Sequence, residues 1–523
     1  TGDAVSKTEN DGAIQDGAAI SIVNRNGYKG LGEIAVTGGT FTAKKGNAAI
    51  KAYDWNSAAE EAFTESGKVA VSGGTFSSAV DADLCKTGYA PTVNEDGTYT
   101  VTKVKVAEVN STQYDTLEAA IAAAKDGDTV KLLADVEQNA RLVIDKSITL
   151  DLNGKKIYNT VDIWAESNAL IGIGTDETRV QVTITGSGTI AAKENDCYTI
   201  DVVNGDLTIE NGEFIGNVSA VQVQTGTLTI NGGKFSLLQK WDGKSTYLIN
   251  CIDGNFADGS AAVAIYGGTF VDFDPNVAPE KKVDGKAPSF AAPGVGIRRT
   301  GDSFEAVRDK VAQTLDANGN SVYCYDSLEG ALRLSEVNDG YTVRVLQDTT
   351  VENQLPAVKS SITIDGQGYT VTLDDSYAAY ISVEQNYKLK LSNVTITGAT
   401  DIAPLLHIKG NAEVTIDKDS SIIATGDNKD SNPAIFIGVE DGASGTAPTL
   451  NIYGRVEGNV RGVIAGNGTD NGTSHINIYD GAVVKSKSLA MFLPQPCEVN
   501  ITGGTVEGYC AIGIKSGTLN ITG

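Results

Sequence analysis

The residues able to do chemistry are few and scattered. Histidine occurs twice, at His407 in "PLLHIKG" and His475 in "TSHINIYD". Neither has a serine or cysteine at a spacing that pairs nucleophile with base, and His407, on an apolar run, reads as packed. The six cysteines, at 85, 197, 251, 324, 497 and 510, include no CxxC pair, which disfavours zinc. Buried free thiols are expected; Cys197 with Cys251, or Cys497 with Cys510, would form a disulfide only if adjacent strands set them side by side. Asp374 and Asp375 in "VTLDDSYAAY" are adjacent carboxylates, but no second motif accompanies them, and they read as a solvated turn. "GDNKDSNP" at Gly426–Pro433 and "DKDSS" at Asp417–Ser421 cluster oxygen ligands without the spacing of a dedicated calcium loop; both read as polar surface loops. The glycine-rich stretches lack the following helix and lysine of a phosphate cradle. No metal and no cofactor is expected.

Aromatic side chains are the better candidates. Trp55 lies in "AYDWNSAAEEAF", Trp164 in "VDIWAESNAL", and Trp241 with Tyr247 in "LLQKWDGKSTYL". All fall in irregular joins between the repeated phrases described below, where an aromatic anchors a protein partner, stacks on a sugar, or folds back to plug a gap. These four residues are the expected binding positions.

A net charge of −25 repels phosphate backbones and anionic headgroups, so nucleic acid and membrane surfaces are poor partners. No apolar run reaches the roughly 18 residues of a membrane span, and "TGDAVSKTEN" has no signal-peptide pattern. A soluble piece of a longer protein is expected.

The elements that must position these residues are written in one recurring phrase: "IAVTGGTF" at Ile34, "VAVSGGTF" at Val69, "LTIENGEF" at Leu207, "LTINGGKF" at Leu228 and "VAIYGGTF" at Val263. Weaker copies follow, among them "ITIDGQGYTV" at Ile362, "LNIYGRVEG" at Leu450, "INIYDGAVV" at Ile476, "VNITGGTVEG" at Val499 and "LNITG" at Leu519. Alternating apolar residues point to one face of a short strand. A glycine-rich turn follows, and an aromatic or aliphatic residue then re-enters the interior. The copies recur at roughly 20–27 residues, the period of a solenoid. β-branched, period-two segments exclude helical repeats. The expected fold is therefore all-β: a right-handed parallel β-helix with internal ladders of like residues.

A longer duplication overlies the short one. "YDTLEAAIAAAKDGDTVKLLADV" at Tyr114–Val136 returns as "YDSLEGALRLSEVNDGYTVRVLQDT" at Tyr325–Thr349. Each copy predicts a short amphipathic helix, with Asp115 and Glu118, or Asp326 and Glu329, as the pairing at its start, and with Leu117, Ala120 and Ile121, or Leu328, Ala331 and Leu332, covering an open coil end. "DGTYTV" at Asp96–Val101 and "GDSFEAV" at Gly301–Val307 read as closing hairpins. Pro275, Pro279, Pro288 and Pro293 mark extended backbone between units. Residues 1–104 are expected to be the end of a first unit, 105–312 a complete unit, and 313–523 a third, truncated one.

This combination of "YxTLEAAIAAAKDGDTVKLLADV", "ITLDLNG", repeated "GGTF" and closing "DGTYTV" resembles the large repeat-containing surface proteins of gut Gram-positive bacteria, whose units look like the pectate-lyase-like right-handed β-helix superfamily. The resemblance implies export, display on the bacterial cell surface, and a noncatalytic, adhesive role holding a host protein, immunoglobulin first and a glycan second. It also raises a polysaccharide lyase or hydrolase as an alternative, but the expected NTD, GHG and RIK patterns are absent from the sequence. A plain spacer is the third reading.

Overall fold

The computed structural model describes residues 17–56, 59–240, 247–279, 288–335, 338–426, 431–438, 446–459, 463–466 and 472–523. The fold is all-β and multi-sheet, with short helices at its joins. It divides into two compact units, Thr1–Ala124 with Asp128–Val136, and Lys125–Gly127 with Glu137–Gly523. The boundary expected at 312/313 lies inside the second of these.

In the first unit, two copies of the phrase lie side by side. Strand Ile34–Phe41 runs parallel to Val69–Phe76, with Ile34 opposite Val69, Val36 opposite Val71 and Phe41 opposite Phe76. The two phenyl rings stack at 5.2 Å and 14°. Val71 and Phe76 are fully buried: alternation sends Val71 inward with Val69, and the Gly73–Gly74 corner, with φ +107° at Gly74, turns Phe76 back to the same interior. Tyr99–Lys103 then returns antiparallel against Val69–Phe76 and Tyr89–Val93, the hairpin expected from "DGTYTV".

Helix Leu117–Ala123 packs on strands Ala107–Val109, Thr112–Tyr114 and Thr129–Leu132, burying Leu117, Ala120 and Ile121. Its cap differs from the expected one. Thr116 is the N-cap and its hydroxyl accepts from Ala119 N at 3.1 Å, while Asp115 instead receives Lys105 Nζ at 2.7 Å. A threonine one residue nearer the helix reaches the orphan N–H with the shorter side chain. The duplicate repeats both details in the second unit: Ser327 Oγ accepts from Gly330 N at 3.2 Å, and Lys310 Nζ meets Asp326 at 2.8 Å.

In the second unit the chain visits three sets of parallel strands in rotation. One set runs Thr149–Asp151, Val180–Thr185, Gly205–Ile209, Gly226–Ile230, Ala261–Ile265. The next runs Lys156–Tyr158, Thr189–Ala191, Glu213–Gly216, Lys234–Leu237, Gly268–Val271. The last runs Leu142–Ile144, Ala169–Ile173, Tyr198–Val202, Val221–Val223, Ile249–Cys251. Each circuit adds one strand to every set, so the phrase copies fall in register: Leu207, Leu228 and Val263 are aligned, as are Phe214, Phe235 and Phe270. Ser303–Val307 closes this part as an antiparallel hairpin with Gly296–Thr300. After helix Leu328–Ser335 the rotation resumes, from Ile362–Asp365 to the long strands Leu489–Ile501 and Cys510–Ile521.

The double glycine of the phrase has two separate causes. A Cβ on Gly267 would lie 2.2 Å from the Asn231 carbonyl oxygen of the preceding circuit. Gly268 holds φ at +106°, where side chains are strained. The first glycine lets adjacent turns touch, and the second turns the corner.

The six cysteines are free. Burial, then the neighbouring Asp196, pushes the Cys197 thiol up to about 12, and burial does the same at Cys324, to about 12. A thiol-reactive dye is therefore expected to label native protein at exposed Cys510 and to reach Cys197 and Cys324 only after unfolding. Native labelling of Cys197 as fast as Cys510 would contradict this packing.

Candidate binding surface

Trp164 stands on the connection between strands Lys156–Tyr158 and Ala169–Ile173 and is 52% exposed. Its backbone is clamped rather than loose. Ile163 N and Trp164 N donate to Asp196 Oδ1 at 2.9 and 2.8 Å, and Asn159 Nδ2 donates to Asp196 Oδ2 at 2.6 Å. Asp196 is itself buried, so its charge is met by these three donors, as a buried carboxylate requires. The indole packs edge-on against Tyr198, with ring centroids 5.5 Å apart at 76°. Burial, then the charge of Asp201, raises the Tyr198 phenol above its ordinary pKa.

Beside this aromatic pair lies a charged one. Asp201 points outward from strand Tyr198–Val202 yet has no exposed surface, because Arg141 Nη2 reaches it at 3.3 Å, Asn168 Nδ2 at 3.2 Å and Gln224 Nε2 at 2.7 Å. Arg141 also donates to Asn168 Oδ1 at 2.7 Å. The guanidinium packs against Gly172, whose Cβ would sit 2.5 Å from Arg141 Nε and from Nη2. Trp164 with Tyr198 offers an aromatic edge, and Arg141 with Asn168 and Asp201 a neutralised ion pair. That chemistry is contact and orientation; the carboxylates of Asp196 and Asp201 are both engaged by donors.

The other expected positions divide. Tyr247 is half-buried and sits two residues before Ile249, as Tyr198 sits two before Ile200. It lies just before strand Ile249–Cys251, and its carbonyl accepts from Ser219 Oγ at 2.7 Å. Trp241 lies outside the described residues. Trp55 is in the first unit, not in an irregular join but within strand Ile50–Asn56, and is 7% exposed. It shares the face of Tyr53, opposite the one that carries Ile50 into the core, and its Nε1 is buried without a hydrogen-bond partner.

The polar motifs are structural where they are described. Asp374 Oδ1 accepts from Ser376 N at 2.9 Å, and the Asp375 carboxylate accepts from Ile402 N at 3.0 Å and Ala403 N at 3.2 Å. Asp417 accepts from Ser420 Oγ at 2.9 Å. Residues 427–430 of the "GDNKDSNP" loop lie outside the described residues, and among the described residues no three metal-ligating side chains converge. His407 is buried edge-on against Phe436, centroids 5.0 Å apart, with Nε2 3.2 Å from the Gly438 carbonyl.

Sequence reading misses the Arg141–Asp201 pair, whose members are 60 residues apart. One signal for it exists. Gly172 interrupts the apolar strand "ALIGI", and a glycine inside a strand marks something lying close against it. Among the described residues, no helix is long and apolar enough to cross a membrane. No known protein family, no curated protein and no solved structure matches the chain.

Proposed function

We propose that the chain is a noncatalytic binding protein of a bacterial cell surface, wound as a right-handed parallel β-helix, which holds a folded host protein on the Trp164 face. Parallel strands joined through a crossover wind right-handed in nearly all proteins, and three sets of strands visited in rotation fit that path. The observation that carries the functional reading is the half-exposed Trp164 on a backbone clamped to buried Asp196. An exposed indole whose backbone is already ordered loses little entropy on binding, and such anchors dominate protein interfaces. The excess of acid over base, 66 residues against 41, disfavours an anionic partner. Immunoglobulin is the first partner to test, on the sequence resemblance.

The test is the affinity of full-length chain for whole host immunoglobulin and for proteins of host secretions. Trp164→Ala is expected to weaken capture of the retained protein by about 2 kcal/mol, roughly 30-fold, with the circular dichroism spectrum unchanged. Equal capture by wild type and variant would remove Trp164 from the contact. Release of reducing or unsaturated ends from a polysaccharide panel would contradict the noncatalytic reading.

A further inference from the structure

A second face, on a different sheet, carries a pattern that the Trp164 reading does not use. Asparagines occupy the same outward position on four successive strands: Asn451 opposite Asn477, Asn477 opposite Asn500, Asn500 opposite Asn520. Their carboxamides form a hydrogen-bonded column. Asn477 Nδ2 donates to Asn451 Oδ1 at 2.9 Å, Asn500 to Asn477 at 3.1 Å and Asn520 to Asn500 at 2.8 Å. Asn451 Nδ2 continues the column to Glu413 Oε1 at 3.1 Å.

A carboxamide has two N–H groups and two acceptor lone pairs. Within the column, Asn451 and Asn477 each spend one of each on their neighbours, which leaves one donor and one acceptor per residue in fixed orientation. The spacing between them is that of parallel strands, about 4.8 Å, comparable to one pyranose residue in an extended chain.

Just past the ends of two of these strands, Tyr453 and Tyr479 stack with centroids 4.1 Å apart and rings within 2° of parallel. Tyr453 is 38% exposed. The next position after Tyr479 is Thr502, too small to cover the outer ring face. At the other end of the strip, a depression of about 240 Å³ is lined by Ser361, Thr363, Lys388, Lys390, Glu413 and Thr415. Glu413 joins the two features, since its other oxygen holds Lys388 Nζ at 2.7 Å.

We infer that this strip binds a neutral polysaccharide laid across the strands, with the tyrosine pair against a sugar ring and the asparagine column along its hydroxyls. The outward side chains of the strip are amides, hydroxyls, phenols and charged groups, and the aliphatic residues at the depression, Ile362 and Leu389, are buried. Lys388 is paired with Glu413, and Glu498 lies 3.3 Å from His475 Nδ1 and accepts from Asn500 Nδ2 at 3.1 Å. An anionic polymer would meet the excess negative charge of the chain.

The test is affinity electrophoresis of the full chain in gels containing mannan, xylan or mixed-linkage β-glucan, with polygalacturonate alongside. At least one neutral polymer is expected to retard the protein and polygalacturonate is not. Tyr479→Ala should weaken that retardation at least tenfold, Asn477→Leu should also weaken it, and Tyr479→Phe, which keeps the stacked ring, should retain most of it. Trp164→Ala should leave it unchanged, which separates this site from the protein-binding one. No retardation by any neutral polymer, stronger retardation by polygalacturonate, or full retardation of folded Tyr479→Ala would overturn the inference. So would a host protein whose capture is lost in Tyr479→Ala and kept in Trp164→Ala.

Discussion

Phe235→Ala is expected to destabilise the second unit by about 3–5 kcal/mol. Phe214, Phe235 and Phe270 occupy one position on successive strands and are fully buried. Their rings stack at 5.0 and 5.1 Å, 11° and 7° from parallel. The spacing is imposed by the backbone, since parallel strands lie about 4.8 Å apart. Removing the middle ring therefore forfeits both contacts, and the hydrogen-bonded strands cannot close together to fill the cavity. Equilibrium guanidinium denaturation should show the unit's midpoint lowered. A loss below about 1 kcal/mol would mean that Phe235 is not in a continuous interior stack.

Gly267→Ala acts on the backbone instead. Its added Cβ would meet the Asn231 carbonyl oxygen at 2.2 Å and the carbonyl carbon at 2.9 Å, and neither atom can rotate away. The strand after the turn must shift, breaking register with its neighbour, at an expected cost of about 1–3 kcal/mol as in overpacked cores. Gly254→Ala is the control, because a Cβ added there would have nothing within 4 Å. Equal midpoints for the two variants would show that adjacent turns do not approach as closely as described.

The repeated phrase is legible because each of its residues answers a separate local demand. Leu207 and Ile209 face inward by alternation, Gly267 and Gly268 meet the approach and the corner, and Phe235 fills the interior. The helices are legible from Leu117, Ala120 and Ile121, but their caps are not. Both Asp115 and Thr116 are good N-cap residues, and only the position of Lys105 decides that Asp115 turns away. Trp55 is misplaced for a related reason: "AYDWN" alternates like a strand, yet the charged segment after it suggests an irregular join.

The asparagine column stands in plain text as the second residue of "LNIYG", "INIYD", "VNITG" and "LNITG". Alternation assigns such residues to the outside and then says nothing more about them. Only the register, which sets Asn451, Asn477, Asn500 and Asn520 opposite one another, turns four polar surface residues into one array. The Arg141–Asp201 pair is harder still, since its members come from different circuits and no phrase repeats them.

Both proposed surfaces depend on successive circuits lying in parallel register, and an engineered disulfide tests that register directly. Thr208 and Thr229 lie opposite each other on adjacent parallel strands, within the Cα separation of about 4.4–6.8 Å that a disulfide needs. Thr208→Cys with Thr229→Cys is expected to oxidise to a bridge identified by peptide mass mapping, whereas Thr208→Cys with Thr227→Cys is not. A bridge from 208 to 227 and none to 229 would contradict the stacking on which both surfaces rest.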